Sequence, residues 1–301
     1  MQMVSLAIRR TSGKQEPNLA GILVLTMANT ESKPVQITVN GARFVVIESG
    51  SGVPVICLHG NGLNRDLWRH LAPSLARKYR AVVYELRGMG QSESVQQPGT
   101  TVTVQNHADD LNGLMDALGI EQAAIVAHAF GGFPAMQLAA NQPHRISALV
   151  MACTSARMEG ATRKVIPYWI QTAESEGMEP LVESALKRWF TASFRQAHPQ
   201  IMDLYRKMIA GNPPLGYAAN SRGILTYDMR DRLHAIQCPT LLISGDQDVS
   251  TPTEDHRFIA ERVPNAELIV VQYASHTVPE EQPEAFNQMV LGFLDRHRGP
   301  R

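Results

Sequence analysis

The chain has 301 residues, with 28 basic and 28 acidic side chains, so its formal net charge is zero. With 44% hydrophobic and 19% charged residues it has the make-up of a globular protein with a real core, which excludes disorder over most of its length. A neutral chain without a Lys/Arg run has no field to hold a polyanion, so no nucleic-acid partner is expected. No apolar run approaches the ~20 residues that span a bilayer, so no membrane partner is expected either.

The cysteines are Cys57, Cys153 and Cys238. An odd number without metal-ligand spacing argues against a disulfide framework and against a zinc site. Each lies in or beside an apolar run and reads as a buried free thiol, which implies a reducing, cytoplasmic setting. Arg9, Arg10 and Lys14 ahead of Gly21–Leu25 faintly imitate a signal peptide, but Glu16, Pro17 and Asn18 interrupt the pattern. Residues 1–33 are expected to be a disordered or dispensable extension, with Met27 as an alternative start.

From residue 35 onward, strand-like and helix-like segments alternate. Val35–Val39 and Arg43–Glu48 read as strands joined at Asn40-Gly41, a dipeptide that tolerates positive φ at both positions. Val53–Leu58 is a continuous apolar strand, as expected when both faces are covered. The spacing of Leu67, Trp68, Leu71, Leu75 and Ala76 predicts a helix over Asp66–Lys78. A strand follows at Arg80–Leu86, a helix at Val102–Leu118 and a third buried strand at Gln122–Ala127. Gly131–Asn141 is a small-residue helix, and Ile146–Cys153 and Thr240–Ser244 are further strands. Thr253–Val263 is helical, Glu267–Tyr273 is a strand, and Glu284–Arg298 is the closing helix.

This order predicts an α/β fold with a mostly parallel sheet and helices on both faces. The alternation stops between about 155 and 230, where helix-like pieces rich in aromatics replace strands. We expect a core of 34–154 and 231–301 carrying a helical lid at 155–230.

The chemistry-bearing residues sit after strands, where open α/β sheets bind ligands. His59-Gly60-Asn61-Gly62 follows the Val53 strand, and its glycines can present backbone N–H groups to an oxyanion. Ala127-His128-Ala129-Phe130-Gly131-Gly132 joins a strand to a helix as a nucleophile elbow does, with small residues two positions either side of residue 129. Residue 129 itself is alanine, which has no lone pair with which to attack a carbonyl. The turn aims His128 away from the pocket, and it reads as structural. Gly245-Asp246-Gln247-Asp248 and Ala274-Ser275-His276 follow two later strands. Asp248 and His276 can form the carboxylate–imidazole pair of a hydrolytic triad, while Asp246 reads as a loop cap.

Taken together, Leu58-His59-Gly60, Leu86-Arg87-Gly88-Met89-Gly90-Gln91-Ser92, the elbow, Gly245–Asp248 with Pro252, and His276 resemble the α/β-hydrolase superfamily over roughly residues 35–298. The resemblance implies a catalytic set at positions 129, 248 and 276, with the N–H groups of Asn61 and Phe130 as the oxyanion hole. Arg188-Trp189-Phe190-Thr191, Phe194-Arg195, Asn212-Pro213-Pro214 with Gly216-Tyr217, and Asp228-Met229-Arg230 are similar to the lid of the 3-oxoadipate enol-lactonase branch. A small ester or lactone is the implied ligand. No cofactor is implied, since Gly88-Met89-Gly90 lacks the third glycine and helix start of a dinucleotide site.

The departure is Ala129, where the family pattern has serine. A substrate-trapping Ser→Ala change and a natural pseudo-enzyme both fit the residues. So does a cofactor-independent enzyme in which the His276–Asp248 pair acts as general base.

Overall fold

The computed structural model describes residues 33–297. The expected N-terminal extension lies outside the described residues, Lys33 apart. Eight strands form one sheet: β1 Val35–Val39, β2 Ala42–Ser49, β3 Pro54–Leu58, β4 Arg80–Tyr84, β5 Ala123–His128, β6 Ile146–Ala152, β7 Thr240–Gly245 and β8 Ala266–Val271. Their spatial order is β1-β2-β4-β3-β5-β6-β7-β8. Only β1–β2 and β2–β4 pair antiparallel. The β1–β2 hairpin closes at Asn40-Gly41, both at positive φ, with Val39 opposite Ala42. Every residue of β5 and β7 is buried, so helices must cover both faces of the sheet there. The edge strand β1 is mostly exposed.

The helices between strands are α1 Ala72–Ala76, α2 Val104–Ala117 and α3 Gly132–Asn141. α2 starts at a capping box, in which the Thr103 side chain accepts from the Asn106 N–H and the Asn106 side chain accepts from the Thr103 N–H. The helix expected over Asp66–Lys78 is broken into a 3-10 turn at Arg65–Trp68 and the short α1. Pro73, in the first turn of α1, lacks the N–H that a continuous helix would need and would clash one turn back. Both pieces still bury the predicted residues Leu67, Trp68 and Leu75.

Between β6 and β7 the chain forms α4 Gly160–Glu176, α5 Val182–Trp189, α6 Ala192–Ala197, α7 Pro199–Ala210 and α8 Pro214–Thr226, with no strand. α4 packs on α8, and α5 on α7. The chain closes with α9 Thr253–Ala260, α10 Val278–Glu281 and α11 Pro283–Arg296. Cys57, Cys153 and Cys238 are free and buried. Among the described residues no helix is long and apolar enough to cross a membrane.

Candidate active site

The elbow is built by close backbone contact. Ala129, between β5 and α3, has φ +48°, a left-handed conformation that costs a non-glycine residue of order 1 kcal/mol. Two contacts hold it there. The Thr154 hydroxyl donates to the Ala129 carbonyl at 2.8 Å. Gly131 lies against the loop after β3 so tightly that a Cβ would meet the Leu58 carbonyl oxygen at 2.5 Å. A larger residue at 131 would force the two loops apart.

The carboxylate and imidazole come from the loops after β7 and β8. Gly245 allows their approach, since a Cβ there would lie 2.2 Å from the Ser275 carbonyl oxygen. Asp246 accepts from the Ala274 N–H at 3.2 Å, tying the loops together as the cap expected of it. Asp248 is buried and fully bonded. One oxygen accepts from the N–H groups of Ser250 and Thr251 at 2.8 and 3.0 Å. The other accepts from the Thr251 hydroxyl and from His276 Nδ1, both at 2.8 Å. Burial pushes the Asp248 carboxyl up, but the facing His276 and these hydrogen bonds outweigh it and hold the group below the usual carboxylate range. With Nδ1–H donated to Asp248, His276 keeps its lone pair on Nε2.

Ala129, Asn61, Phe130 and His276 line one cavity. Among the described residues, the Asn61 N–H makes no backbone hydrogen bond in the turns and loops. The helices between β6 and β7 supply much of the remaining wall, including Ile166, Trp169, Arg188, Trp189 and Tyr217. The Asn61 side chain donates to Ser221 Oγ of α8 at 2.9 Å. Thus the structure brings together all five predicted site residues, with Asp248 placed behind His276 and away from the cavity wall.

Sequence reading missed three supports. Thr251 donates its hydroxyl to Asp248. Glu281 accepts from Ser275 N–H at 2.5 Å, and from the Thr191 N–H and hydroxyl at 2.7 and 2.8 Å. It thereby clamps the helical insertion to the His276 loop. Arg188 stacks on Trp169, its Cζ 3.9 Å from the ring centroid. Only Arg188 carried a local hint, through the Arg188-Trp189-Phe190-Thr191 motif.

Three other buried histidines, His59, His107 and His128, are structural and neutral. His128 donates from Nε2 to the His276 carbonyl at 2.8 Å, fixing the loop beneath the imidazole. His59 donates from Nδ1 to the Gly60 carbonyl and accepts the Leu86 N–H at Nε2. Burial lowers His59 and His107 to about 4. Burial, with the neighbouring His276, lowers His128 to about 3. The folded state therefore binds fewer protons than the unfolded chain at these sites. The stability they contribute is complete above about pH 6.5 and is lost as pH falls towards 4. Imidazole nitrogen NMR is expected to show all three neutral from pH 7 to pH 5. Titration of any of them near 6.5 would contradict their placement.

Cys153 Sγ, an Asp248 oxygen and a His276 nitrogen lie within 4.8 Å of one another, close enough to be considered as metal ligands. They do not suit one. Burial holds the Cys153 thiol well above its usual range, so the thiolate a metal would need is disfavoured. The Asp248 and His276 atoms are already bonded to each other.

The profile of the α/β hydrolase fold matches residues 53–283. The chain belongs to the α/β-hydrolase family. It is 28% identical over 273 residues to 3-oxoadipate enol-lactonase 1 of Acinetobacter baylyi, covering 90% of this chain and 96% of that one. Among solved structures, it is similar to the enol-lactonase from Burkholderia xenovorans (TM-score 0.83, 28% identity, covering 87% of this chain and all of that one). A thermophilic esterase from Thermogutta terrifontis is similar too, with a TM-score of 0.82 and 29% identity over 89% of this chain and all of that one. Lactonases and esterases share one reaction, transfer of an acyl group to water.

Proposed function

We propose that this α/β hydrolase is a serine-hydrolase scaffold for a small ester or lactone in which alanine replaces the nucleophile, so that it holds its ligand rather than turning it over. One observation carries the reading. The strained elbow at Ala129 opens onto the same cavity as His276, whose other nitrogen is bonded to Asp248. The family's relatives named as lactonase and esterase support the ligand class.

With a hydroxyl at 129, the roles are as follows. The hydroxyl attacks the acyl carbon while His276 Nε2 takes its proton. Asp248 holds the tautomer and steadies the imidazolium. The N–H groups of Asn61 and Phe130 receive the oxyanion. His276 then protonates the departing alkoxide, which in a lactone stays tethered to the acyl group, and water releases the acid. Alanine removes the first step and leaves the rest. We take residues 155–230 as the lid that selects the ligand, and the buried free thiols as fitting a reducing, cytoplasmic setting.

The test is the fate of the ligand. Titrated with δ-valerolactone and p-nitrophenyl acetate, this chain should bind saturably, and mass spectrometry should recover each intact over times in which an ordinary enzyme, at about 10 per second, would consume it. Turnover at such a rate would contradict the reading. The intact Asp248–His276 pair, with Nε2 open to the cavity, favours one second reading, direct activation of water by the imidazole. Slow turnover that disappears in His276→Ala would assign it.

A further inference from the structure

The end of α5 is stitched to the residues on either side of His276. The Ser275 hydroxyl lies between the carbonyls of Gln247 and Arg188, at 3.2 and 3.3 Å. The Thr277 N–H and hydroxyl both donate to the Trp189 carbonyl at 3.0 Å. Trp189 lines the cavity, and its ring lies 6.4 Å from the imidazole with an interplanar angle of 29°. Thr191, two residues on, reaches the same loop through Glu281 of α10.

Glu281 spends both oxygens on this link. Oε1 accepts from the N–H and the hydroxyl of Thr191, and Oε2 accepts from the N–H of Ser275, the residue before His276. Burial, and to a lesser degree the charge of Asp248, pushes its carboxyl above the usual range. Among the described residues no basic side chain pairs with it, whereas the adjacent Glu280 is bonded to Arg69 and Tyr205. A shielded carboxylate without a cation is costly. A neutral side chain would cost less, but an amide has only one oxygen to accept with and cannot serve both segments.

We infer that Glu281 is a positioning residue for His276: it ties the end of α5 to the residue before the imidazole, so that the imidazole meets Asp248 correctly only while the helical insertion is seated. The insertion is then part of the machinery that places the base, as well as a wall of the cavity. The activity arm of the test rests on the ester or lactone reading of the site; the spectroscopic arm does not.

The proton that His276 Nδ1 donates to Asp248 resonates far downfield of the amide protons. It can be followed in this chain without a substrate, and is assigned by its loss in His276→Ala. Glu281→Gln should shift that signal or broaden it away, because the amide can serve Thr191 or Ser275 but not both. Glu281→Asp keeps the charge but is one methylene too short to span the two segments, so it should disturb the signal as well. Tyr205→Phe is the comparison. It removes the 3.2 Å hydrogen bond from α7 to Glu280, a second tie between the insertion and α10 that touches neither Ser275 nor His276. It should leave the signal in place. In the Ala129→Ser background, Glu281→Gln should lower kcat roughly 10- to 100-fold with KM within about twofold, since a displacement of ~1 Å at a reacting group costs about 10². Tyr205→Phe should leave both unchanged.

A signal untouched by Glu281→Gln, one moved by Glu281→Gln but not by Glu281→Asp, or one moved equally by Tyr205→Phe would each overturn the inference. A signal disturbed by both Glu281 variants, with no hydrolysis by Ala129→Ser, keeps the role of Glu281 and removes the hydrolase reading. Hydrolysis by Ala129→Ser at a rate that Glu281→Gln leaves unchanged does the reverse.

Discussion

Replacing Ala129 with serine is expected to raise hydrolysis of small p-nitrophenyl esters by about 10⁴- to 10⁶-fold over the present chain. Loss of the nucleophile from an otherwise complete triad costs on the order of 10⁶ in kcat, while oxyanion donors and binding retain a residual ~10³–10⁴ over water. The parts that make a hydroxyl reactive are already in place. Ala129 keeps the positive φ that lifts its side chain out of the strand, against an intrinsic preference for the right-handed region. His276 is oriented for the task because Asp248 takes its Nδ1–H at 2.8 Å, leaving Nε2 as the nitrogen that can act as base. Serine adds one atom to a residue that already lines the cavity. A gain below tenfold in a variant that folds like the parent would mean that residue 129 does not face the acyl carbon.

The second large effect follows from the bonding of Asp248. In the Ala129→Ser background, Asp248→Asn is expected to lower kcat by about 10⁴-fold with little change in KM. The two carboxylate oxygens together accept four hydrogen bonds, two of them from the backbone N–H groups of Ser250 and Thr251. An amide has one acceptor oxygen. That oxygen stays with the two backbone donors, so the NH₂ group faces His276 Nδ1. The imidazole must then carry its proton on Nε2, where it cannot accept one from serine. The carboxylate's proton affinity is lowered in the fold, so its stabilising contribution is present above the unfolded value of about 3.9 and is lost as pH falls below it. Measurement of kcat between pH 6 and 9 checks the effect. An unchanged rate in Asp248→Asn would show that the pair does not set the tautomer.

Much of this site was legible before the structure, and the reasons are physical. Strand positions follow from apolar runs such as Val55–Leu58 and Ala123–Ala127, which make sense only when buried on both faces. The elbow and the His-Gly loop are legible because a tight turn demands small residues at fixed offsets. Asp248 and His276 each follow a strand, so topology alone brings them near one another. Arg188, Thr251 and Glu281 escape such reasoning because their work depends on where the helical insertion docks. Glu281 meets Thr191 from 90 residues away, and no period or spacing encodes that contact. The broken helix at Pro73 is different, since a proline against an otherwise regular periodicity carries its own signal.

The central claim is that residue 129 sits where a nucleophile would act, under the control of His276. Covalent labelling of Ala129→Ser with diethyl p-nitrophenyl phosphate measures this most directly, because only a serine activated in place reacts with it rapidly. Intact-mass analysis and peptide mapping should show one phosphoryl group per chain, on residue 129, absent from the parent and lost when His276→Ala is added. An unlabelled variant, or a label carried elsewhere and equally by the parent, would contradict the account.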